Sequence, residues 1–163
     1  MNYIKDFLVD LKYVNNYSDN TVKSYESDLR AFNIFLNGKD ITKVTSDDVK
    51  KYIKSFNDKN EKTLARAITT LRMFYAFLER KGTISISPID GIAGPKIGKY
   101  LPEVLTIREV DKLLDIEPND AFTFRNRCIL ELLYSTGLRI SELVSLKFEN
   151  VNLDDCLIKV MGK

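Results

Sequence analysis

Residues 61–80 read EKTLARAITTLRMFYAFLER, and this stretch decides the fold of the amino-terminal half of the chain. Neither Gly nor Pro interrupts it, and Gly82 follows it, as expected just beyond the carboxyl end of a helix. Placed at helical spacing, its large apolar side chains gather on one side. They are Leu64, Ile68, Leu71, Phe74, Tyr75 and Leu78. The pattern predicts a helix from about Glu61 to Arg80 with one buried face.

The opposite side of this helix is basic and hydroxylated. It carries Lys62, Arg66, Thr69, Met73 and Arg80, with Phe77 near its edge. Basic and hydroxyl groups along one helical face suit contacts to a phosphate backbone, and an ordinary solvated face is the alternative. Met73 and Phe77 favour a contact surface, because exposed apolar groups usually mark one.

Three shorter helices are predicted before this one. The first has apolar residues at helical spacing close to the amino terminus. Ser18 caps the second helix, and Thr45 with Asp48 forms a capping box that opens the third. No strand-like alternation occurs in residues 1–81, so we expect an all-α bundle of four helices there.

Residues 82–102 change character, because Gly and Pro recur throughout and interrupt every periodicity. They predict an interdomain linker, which also contains Lys96 and Lys99. Helical patterns return from residue 103, and a strand-like run closes the chain. We therefore predict that residues 103–163 form part of an α+β domain. This domain looks cut short, since its last strand has no partner downstream.

Arg139 follows the turn residues Thr136 and Gly137, and Lys163 stands 24 positions further on, after the strand-like run. A planar guanidinium and a mobile ammonium both suit the oxygens of a phosphodiester. The alternatives are an arginine that bonds loop carbonyls near a helix start and a solvated lysine. Glu142 lies one helical turn after Arg139, where it would orient the guanidinium or simply pair with it.

Composition narrows the possible functions. Among 163 residues, 44% are hydrophobic, 29% are charged and none is His, which removes the commonest general base and metal ligand. Two cysteines make neither a disulfide framework nor a zinc site, so we expect no metal and no cofactor. Reduced thiols are typical of a cytoplasmic protein. No apolar stretch is long enough to predict a membrane span. Basic residues outnumber acidic ones 15 to 11 in residues 1–81, whereas residues 103–163 have 8 against 11. The excess fits a nucleic-acid face on the amino-terminal half.

Ordered sequence blocks along the whole chain resemble one family. The blocks are Ser18 to Thr21, Tyr25, Asp28-Leu29, Phe32 to Leu36, Arg66, Leu71-Arg72, Phe74-Tyr75, Phe77-Leu78, Pro95-Lys96, Leu101-Pro102, Leu105-Thr106, Glu109-Val110, Arg127, Leu132 to Tyr134 and Thr136 to Leu143. In this order they resemble the tyrosine recombinases, which include Xer-type chromosome-dimer resolvases and phage or transposon integrases. The order makes the resemblance specific, because any one block occurs in unrelated proteins.

The resemblance implies a four-helix SAM-like core-binding domain followed by a truncated catalytic domain. It makes Arg139 the first catalytic arginine and Lys163 the lysine of a β-hairpin, and the spacing of Glu142 from Arg139 predicts that Glu142 supports this arginine. It also implies site-specific recombination through a 3′-phosphotyrosyl intermediate, without metal, in a tetrameric synapse on double-stranded DNA. DNA contacts are expected from Lys62, Arg66, Thr69, Arg72, Lys96 and Lys99.

The chain departs from the family pattern after Lys163, where a His-x-x-Arg box and the nucleophilic tyrosine would follow. We expect it to bind DNA without cleaving it, either as part of a longer recombinase or as a naturally shortened regulator or decoy. A helical protein-interaction module unrelated to DNA is the third alternative. The sequence does not distinguish a resolvase with a role in chromosome partition from an integrase of a mobile element.

Overall fold

The computed structural model describes residues 2–56, 61–95, 98 and 103–160. Tertiary contacts divide the chain into unit 1, residues 1–100, and unit 2, residues 101–163. The described part of unit 1 is helical, and that of unit 2 contains three α-helices followed by a two-stranded hairpin. The fold is therefore mainly α, as the sequence predicts. No described helix is long and apolar enough to cross a membrane.

Unit 1 is built from the four predicted helices. They are α1 (Tyr3–Tyr13), α2 (Asp19–Phe35), α3 (Ser46–Lys54) and α4 (Glu61–Arg80), with a short 3₁₀ turn at Ile41–Lys43. The Ser18 hydroxyl accepts the Thr21 backbone N–H at 3.4 Å at the start of α2. At the start of α3, Thr45 and Asp48 bond each other's backbone N–H groups. Both predicted helix starts are confirmed.

The core of unit 1 forms around the apolar face of α4. Phe74 and Leu78 are completely buried there. Phe7 of α1 packs edge-on against Phe74, with 5.4 Å between the ring centroids. The buried Tyr75 hydroxyl donates to the Ile41 carbonyl at 3.1 Å, so its one polar group is satisfied. Burial raises the pKa of Tyr75 well above its usual range.

The prediction that Met73 and Phe77 are exposed apolar residues on the other side of α4 is wrong. Phe77 is only 3% exposed, and its ring lies 5.5 Å from that of Phe7. Met73 is partly buried and packs against the same core. The periodicity of α4 alone identifies one buried face, whereas α1 covers a second part of its surface.

Part of the predicted linker packs against unit 1. Ile89 is 2% exposed and joins the core, and Ser87 is buried beside it. One guanidinium nitrogen of Arg72 donates to the Ile92 carbonyl at 2.6 Å, which ties this segment to α4. Residues 96, 97 and 99–102 lie outside the described part of the chain.

Unit 2 follows the predicted order of elements. They are α5 (Ile107–Leu114), α6 (Ala121–Thr136), α7 (Ile140–Val144), β1 (Val151–Asn152) and β2 (Leu157–Ile158), with a 3₁₀ turn at Phe148–Asn150. The two strands pair antiparallel, with Val151 opposite Ile158. The partner of the last predicted strand therefore lies upstream of it, across the Asn152–Asp155 turn.

No described residue of unit 2 is buried. Cys128, which the helical pattern of α6 places toward a core, is exposed, and so is Cys156. Large apolar side chains are exposed as well, among them Phe124 at 61% and Val144 at 80%. The described helices and hairpin of unit 2 carry apolar faces that they do not cover themselves.

Candidate functional site

The turn before Arg139 depends on Gly137. α6 ends there with Gly137 in the left-handed conformation, φ 67°, and its N–H bonds the Leu133 carbonyl at 3.0 Å. The Thr136 hydroxyl donates to the Leu132 carbonyl, which satisfies another acceptor in the last turn of α6. A side chain at position 137 would be strained in this conformation. The turn lets α7 begin three residues later.

Arg139 is the residue immediately before α7, with extended backbone angles. Its backbone N–H donates to one carboxylate oxygen of Glu142 at 2.8 Å, and its guanidinium Nη1 donates to the other at 2.8 Å. Glu142 therefore bonds both ends of the same residue. The Arg139 side chain is 69% exposed, and that of Glu142 is 18% exposed.

The hydrogen bond from the Arg139 backbone, followed by that from its guanidinium, lowers the pKa of Glu142. The carboxylate therefore stays ionised at neutral pH and keeps a negative charge beside the guanidinium. Such a pair restricts the rotamers of a long, flexible side chain while most of the guanidinium still faces solvent. The structure thus brings together Arg139 and its predicted support.

Neighbouring arginines of unit 2 have structural partners. Arg127 Nε donates to Glu131 at 2.8 Å, and its Nη1 donates to the Ile116 carbonyl at 3.3 Å. Arg127 therefore connects α6 to the segment after α5. Arg125 stacks over Phe122 with 5.3 Å from its guanidinium carbon to the ring centroid.

Lys163 lies outside the described residues. The hairpin that precedes it is described up to residue 160. Its pairing continues past β2, because the Lys159 N–H donates to the Asn150 carbonyl at 2.9 Å. Among the residues that the structure does describe, no group of three His, Cys, Asp or Glu side chains is arranged to hold a metal ion.

The outer face of α4 presents three of the predicted DNA-binding residues. Lys62, Arg66 and Thr69 are all exposed and follow one another along one side of the helix. Thr69 also bonds the Ala65 carbonyl, at 2.9 Å, through its hydroxyl. All three residues are therefore accessible to a ligand.

Arg66 is bonded to α2. Its Nη2 lies 3.0 Å from a carboxylate oxygen of Asp28, and its Nη1 donates to the Ser24 carbonyl at 3.2 Å. The helical pattern of α4 predicts Arg66 as a surface cation and indicates no partner for it. One signal for Asp28 was present, since it immediately precedes Leu29 on the core-facing side of α2. An acidic residue at such a position usually requires a partner.

The remaining predicted DNA contacts have different positions. Arg72 is exposed, but its guanidinium donates to the Ile92 carbonyl and so connects α4 to the segment around Ile92. Lys96 and Lys99 lie outside the described residues. Among the predicted contacts that the structure describes, Lys62, Arg66 and Thr69 therefore share one helical face.

Comparison with known families agrees with this arrangement. The family described as "Phage integrase, N-terminal SAM-like domain" matches residues 4–82, and the "Phage integrase family" matches residues 103–163. The first match covers the helices of unit 1, and the second covers all of the described part of unit 2. The chain belongs to the tyrosine recombinase family, and its second unit contains part of the family's catalytic domain.

Curated relatives support the family across the two units. The chain is 36% identical to tyrosine recombinase XerD of Oceanobacillus iheyensis over 166 residues, which cover 98% of this chain and 56% of that protein. It is 37% identical to tyrosine recombinase XerC of Staphylococcus saprophyticus over 162 residues, covering 96% and 55%. The chain thus spans about half the length of the curated relatives it matches.

Solved structures show the same fold. The integrase of the Tn1549 transposon, in complex with circular intermediate DNA, aligns with a TM-score of 0.66 and 22% identity, covering 99% of this chain and 54% of that one. The integrase of mycobacterium phage Brujita aligns with a TM-score of 0.55 and 19% identity, covering 98% and 54%. At these identities the likeness concerns the fold alone.

Proposed function

We propose that this chain binds the double-stranded DNA of a recombination site and carries part of the active site of a site-specific tyrosine recombinase. The observation that carries the proposal is the exposed Arg139 guanidinium, which donates to a Glu142 carboxylate that also accepts the Arg139 backbone N–H. The family match around it supports a phosphodiester as the ligand. Other protomers of the same recombinase, assembled as a tetramer, are the proposed protein partners.

In the proposed mechanism, Arg139 bonds the non-bridging oxygens of the scissile phosphate. Negative charge on these oxygens grows as the phosphorus becomes pentacoordinate, and a donor already in place stabilises that charge without reorganisation. By analogy with a preorganised oxyanion donor, its removal should cost about 3–4 kcal/mol of transition-state stabilisation. Glu142 contributes by orienting the guanidinium.

Lys163 is proposed to protonate the departing 5′ oxygen while a tyrosine forms the 3′-phosphotyrosyl bond. An ammonium with a reference pKa of about 10.4 is charged at neutral pH and can donate this proton. The tyrosine nucleophile and the His-x-x-Arg box of the family do not match any position of this chain. We therefore propose that the chain alone binds DNA without cleaving it.

DNA binding is proposed to involve the α4 face and the linker lysines. Lys62, Arg66 and Thr69 face solvent on α4, and Lys96 and Lys99 are further proposed DNA contacts. Each neutralised phosphate releases a counterion, so binding should weaken as salt rises. Arg72 is also a proposed DNA contact, and we expect a smaller contribution from it because its guanidinium already donates to the Ile92 carbonyl.

A gel-shift experiment on a palindromic core site, with a nicked substrate that traps phosphotyrosyl adducts, tests the proposal. We expect a shifted band that weakens with salt, and no adduct that survives denaturation. A covalent adduct would show that the chain has its own nucleophile, and an absence of salt-dependent binding would exclude the DNA-binding proposal. In a longer recombinase that contains this chain, Arg139→Ala should abolish cleavage while DNA affinity is largely retained.

A naturally shortened DNA-binding regulator or decoy remains the second candidate, because the chain alone would give the same shifted band. The two candidates differ in the reading frame after Lys163. A frame that continues into a His-x-x-Arg box and a distal tyrosine supports the recombinase. A stop codon directly after Lys163 supports the regulator.

A further inference from the structure

The contact between α2 and α4 contains an unusual polar group. Asp28 of α2 is 8% exposed and lies beside the fully buried Leu29. Its two carboxylate oxygens have different partners on α4. One lies 3.0 Å from Arg66 Nη2, and the other accepts a hydrogen bond from the Thr70 hydroxyl at 2.9 Å.

Thr70 is completely buried and its hydroxyl also lies 3.0 Å from the Arg66 carbonyl. Arg66 in turn reaches back to α2 and donates to the Ser24 carbonyl. Asp28, Thr70, Arg66 and Ser24 thus form one network across the two helices. Every buried side-chain polar atom in the described part of the chain has a partner.

Helix packing alone does not account for this network. Burial raises the pKa of Asp28, against the opposing effects of the Thr70 hydrogen bond and of the Arg66 charge. The carboxylate is therefore held at a desolvation cost, and an apolar residue of similar size would commonly stabilise a helix contact as well or better. A buried carboxylate does, however, restrict the orientation of a guanidinium, because the planar group must direct its N–H donors at the carboxylate oxygen.

The inner edge of Arg66 is used by this network, while its side chain remains 41% exposed. A guanidinium has five N–H donors, and only two of its nitrogens contact Asp28 and Ser24 in the described part of the chain. Arg66 is exposed on the same side of α4 as Lys62 and Thr69. An arginine already fixed in this way loses less rotamer freedom when it binds a phosphate.

We infer that Asp28, supported by Thr70, is a positioning residue that holds Arg66 ready for a single phosphate of the DNA backbone. This inference rests on the proposed DNA-binding function and adds to it a residue that itself touches no DNA. Arg66 is then a preorganised phosphate ligand, in contrast to a flexible surface cation. The network makes the α2–α4 contact part of the DNA-binding surface.

The experiment compares Asp28→Asn and Arg66→Ala in the full chain, with binding to a fluorescent DNA duplex measured over a salt series. Arg66→Ala should lower the affinity about tenfold, as expected for a lost charge-assisted bond, and the salt slope by about one. Asp28→Asn should also lower the affinity, although it removes a negative charge. The double variant should bind no more weakly than Arg66→Ala alone.

Matched controls separate positioning from net charge. Asp47→Asn removes an exposed carboxylate from α3, and Arg30→Ala removes an exposed cation from α2. Asp47→Asn should leave the affinity unchanged or raise it slightly, opposite in sign to Asp28→Asn. If Arg66→Ala does not fold, Arg66→Lys keeps the charge without the fork, and it should still bind more weakly than the wild type.

Two results would overturn the inference while leaving the proposed function intact. One is a higher DNA affinity for Asp28→Asn, which would mean that Asp28 shields Arg66 from DNA. The other is a loss of thermal stability in Asp28→Asn and Arg66→Ala with unchanged affinity and salt slope, which would make the network purely structural. Absence of DNA binding by the wild type would overturn both the inference and the proposed function.

Discussion

The described helices of units 1 and 2 have similar patterns of apolar residues, but the two units differ in how completely those residues are buried. In unit 1 the apolar faces of α1 to α4 meet, and Phe32, Phe74 and Leu78 are fully excluded from water. In unit 2 the described helices α5 to α7 show apolar faces of the same kind, yet none of their residues is buried. An amphipathic helix is stabilised mainly by the surface that covers it. An amphipathic pattern therefore predicts a helix, but it does not ensure that the apolar face of that helix is buried.

The difference also separates the two parts of the proposed function. The α4 face that is proposed to bind DNA lies on a helix whose apolar side is buried in a closed core. Arg139 and Glu142 belong to a set of elements whose apolar faces those elements do not cover themselves. Local hydrogen bonds at the Gly137 turn and in the Glu142 pair therefore determine the geometry of Arg139 more than core packing does.

The largest expected effect is the loss of stability when a core residue is substituted. Phe74→Ala should lower the free energy of unfolding of unit 1 by about 3–5 kcal/mol, because it removes a fully buried ring in contact with Phe7 and Tyr75. Phe124→Ala in unit 2 removes a ring that is 61% exposed and should change stability by less than about 0.5 kcal/mol. Urea denaturation followed by circular dichroism measures both. Equal losses would show that unit 2 has a core that encloses Phe124.

A smaller effect is expected at the capping boxes, of which Thr45 begins one in unit 1 and Thr106 begins one in unit 2. Thr45→Ala should destabilise unit 1 by about 1 kcal/mol, since its cooperative core spreads the loss of a cap over the whole unit. Thr106→Ala should increase hydrogen exchange only within α5. Hydrogen exchange with mass spectrometry distinguishes the outcomes, and slower exchange throughout unit 2 than in unit 1 would contradict the comparison.

The smallest effect is a pH dependence of the stability of unit 1 that arises from Asp48. Hydrogen bonds from Lys39, at 2.5 Å, and from the Thr45 backbone lower the pKa of Asp48 well below its usual range. A lowered pKa stabilises the folded state above the unfolded value and loses that contribution as the pH falls. Asp48→Asn should therefore lower the melting temperature at neutral pH and flatten its decline below about pH 4.

Asp47→Asn is the matched control for this measurement, because Asp47 is the adjacent residue and its carboxylate is 81% exposed. Its melting curve should follow the wild type across the same pH range. A parallel decline of wild type and Asp48→Asn with acid would assign the acid sensitivity of unit 1 to other carboxylates.

Much of the fold could be predicted, because helix boundaries depend on local chemistry. Ser18, Thr45 and Thr106 cap the helices that follow them, and the run from Glu61 to Arg80 is the observed α4. The burial of Phe77 could not be predicted from α4 alone, since it depends on a ring of α1. The same holds for Ile89, because the Gly and Pro residues around it predict only a break in regular structure.

The candidate site divides in the same way. The pairing of Arg139 with Glu142 follows from a spacing of three residues and was predicted. The network of Asp28, Thr70 and Arg66 was not, because 42 residues separate Asp28 from Thr70 along the chain. A contact between distant residues depends on how two helices dock, which their separate periodicities do not specify.

By itself, the amino-acid sequence determined the helices, their caps, the turn at Gly137 and the family to which the chain belongs. These features depend on residues within a few positions of one another, or on the order of short sequence blocks. Only the tertiary structure decided that Phe77 is buried, that Arg72 holds Ile92 and that Arg66 is bonded to a buried carboxylate. The physical reason is that burial and pairing arise where separate elements meet, and their free energy depends on distances that no single element contains.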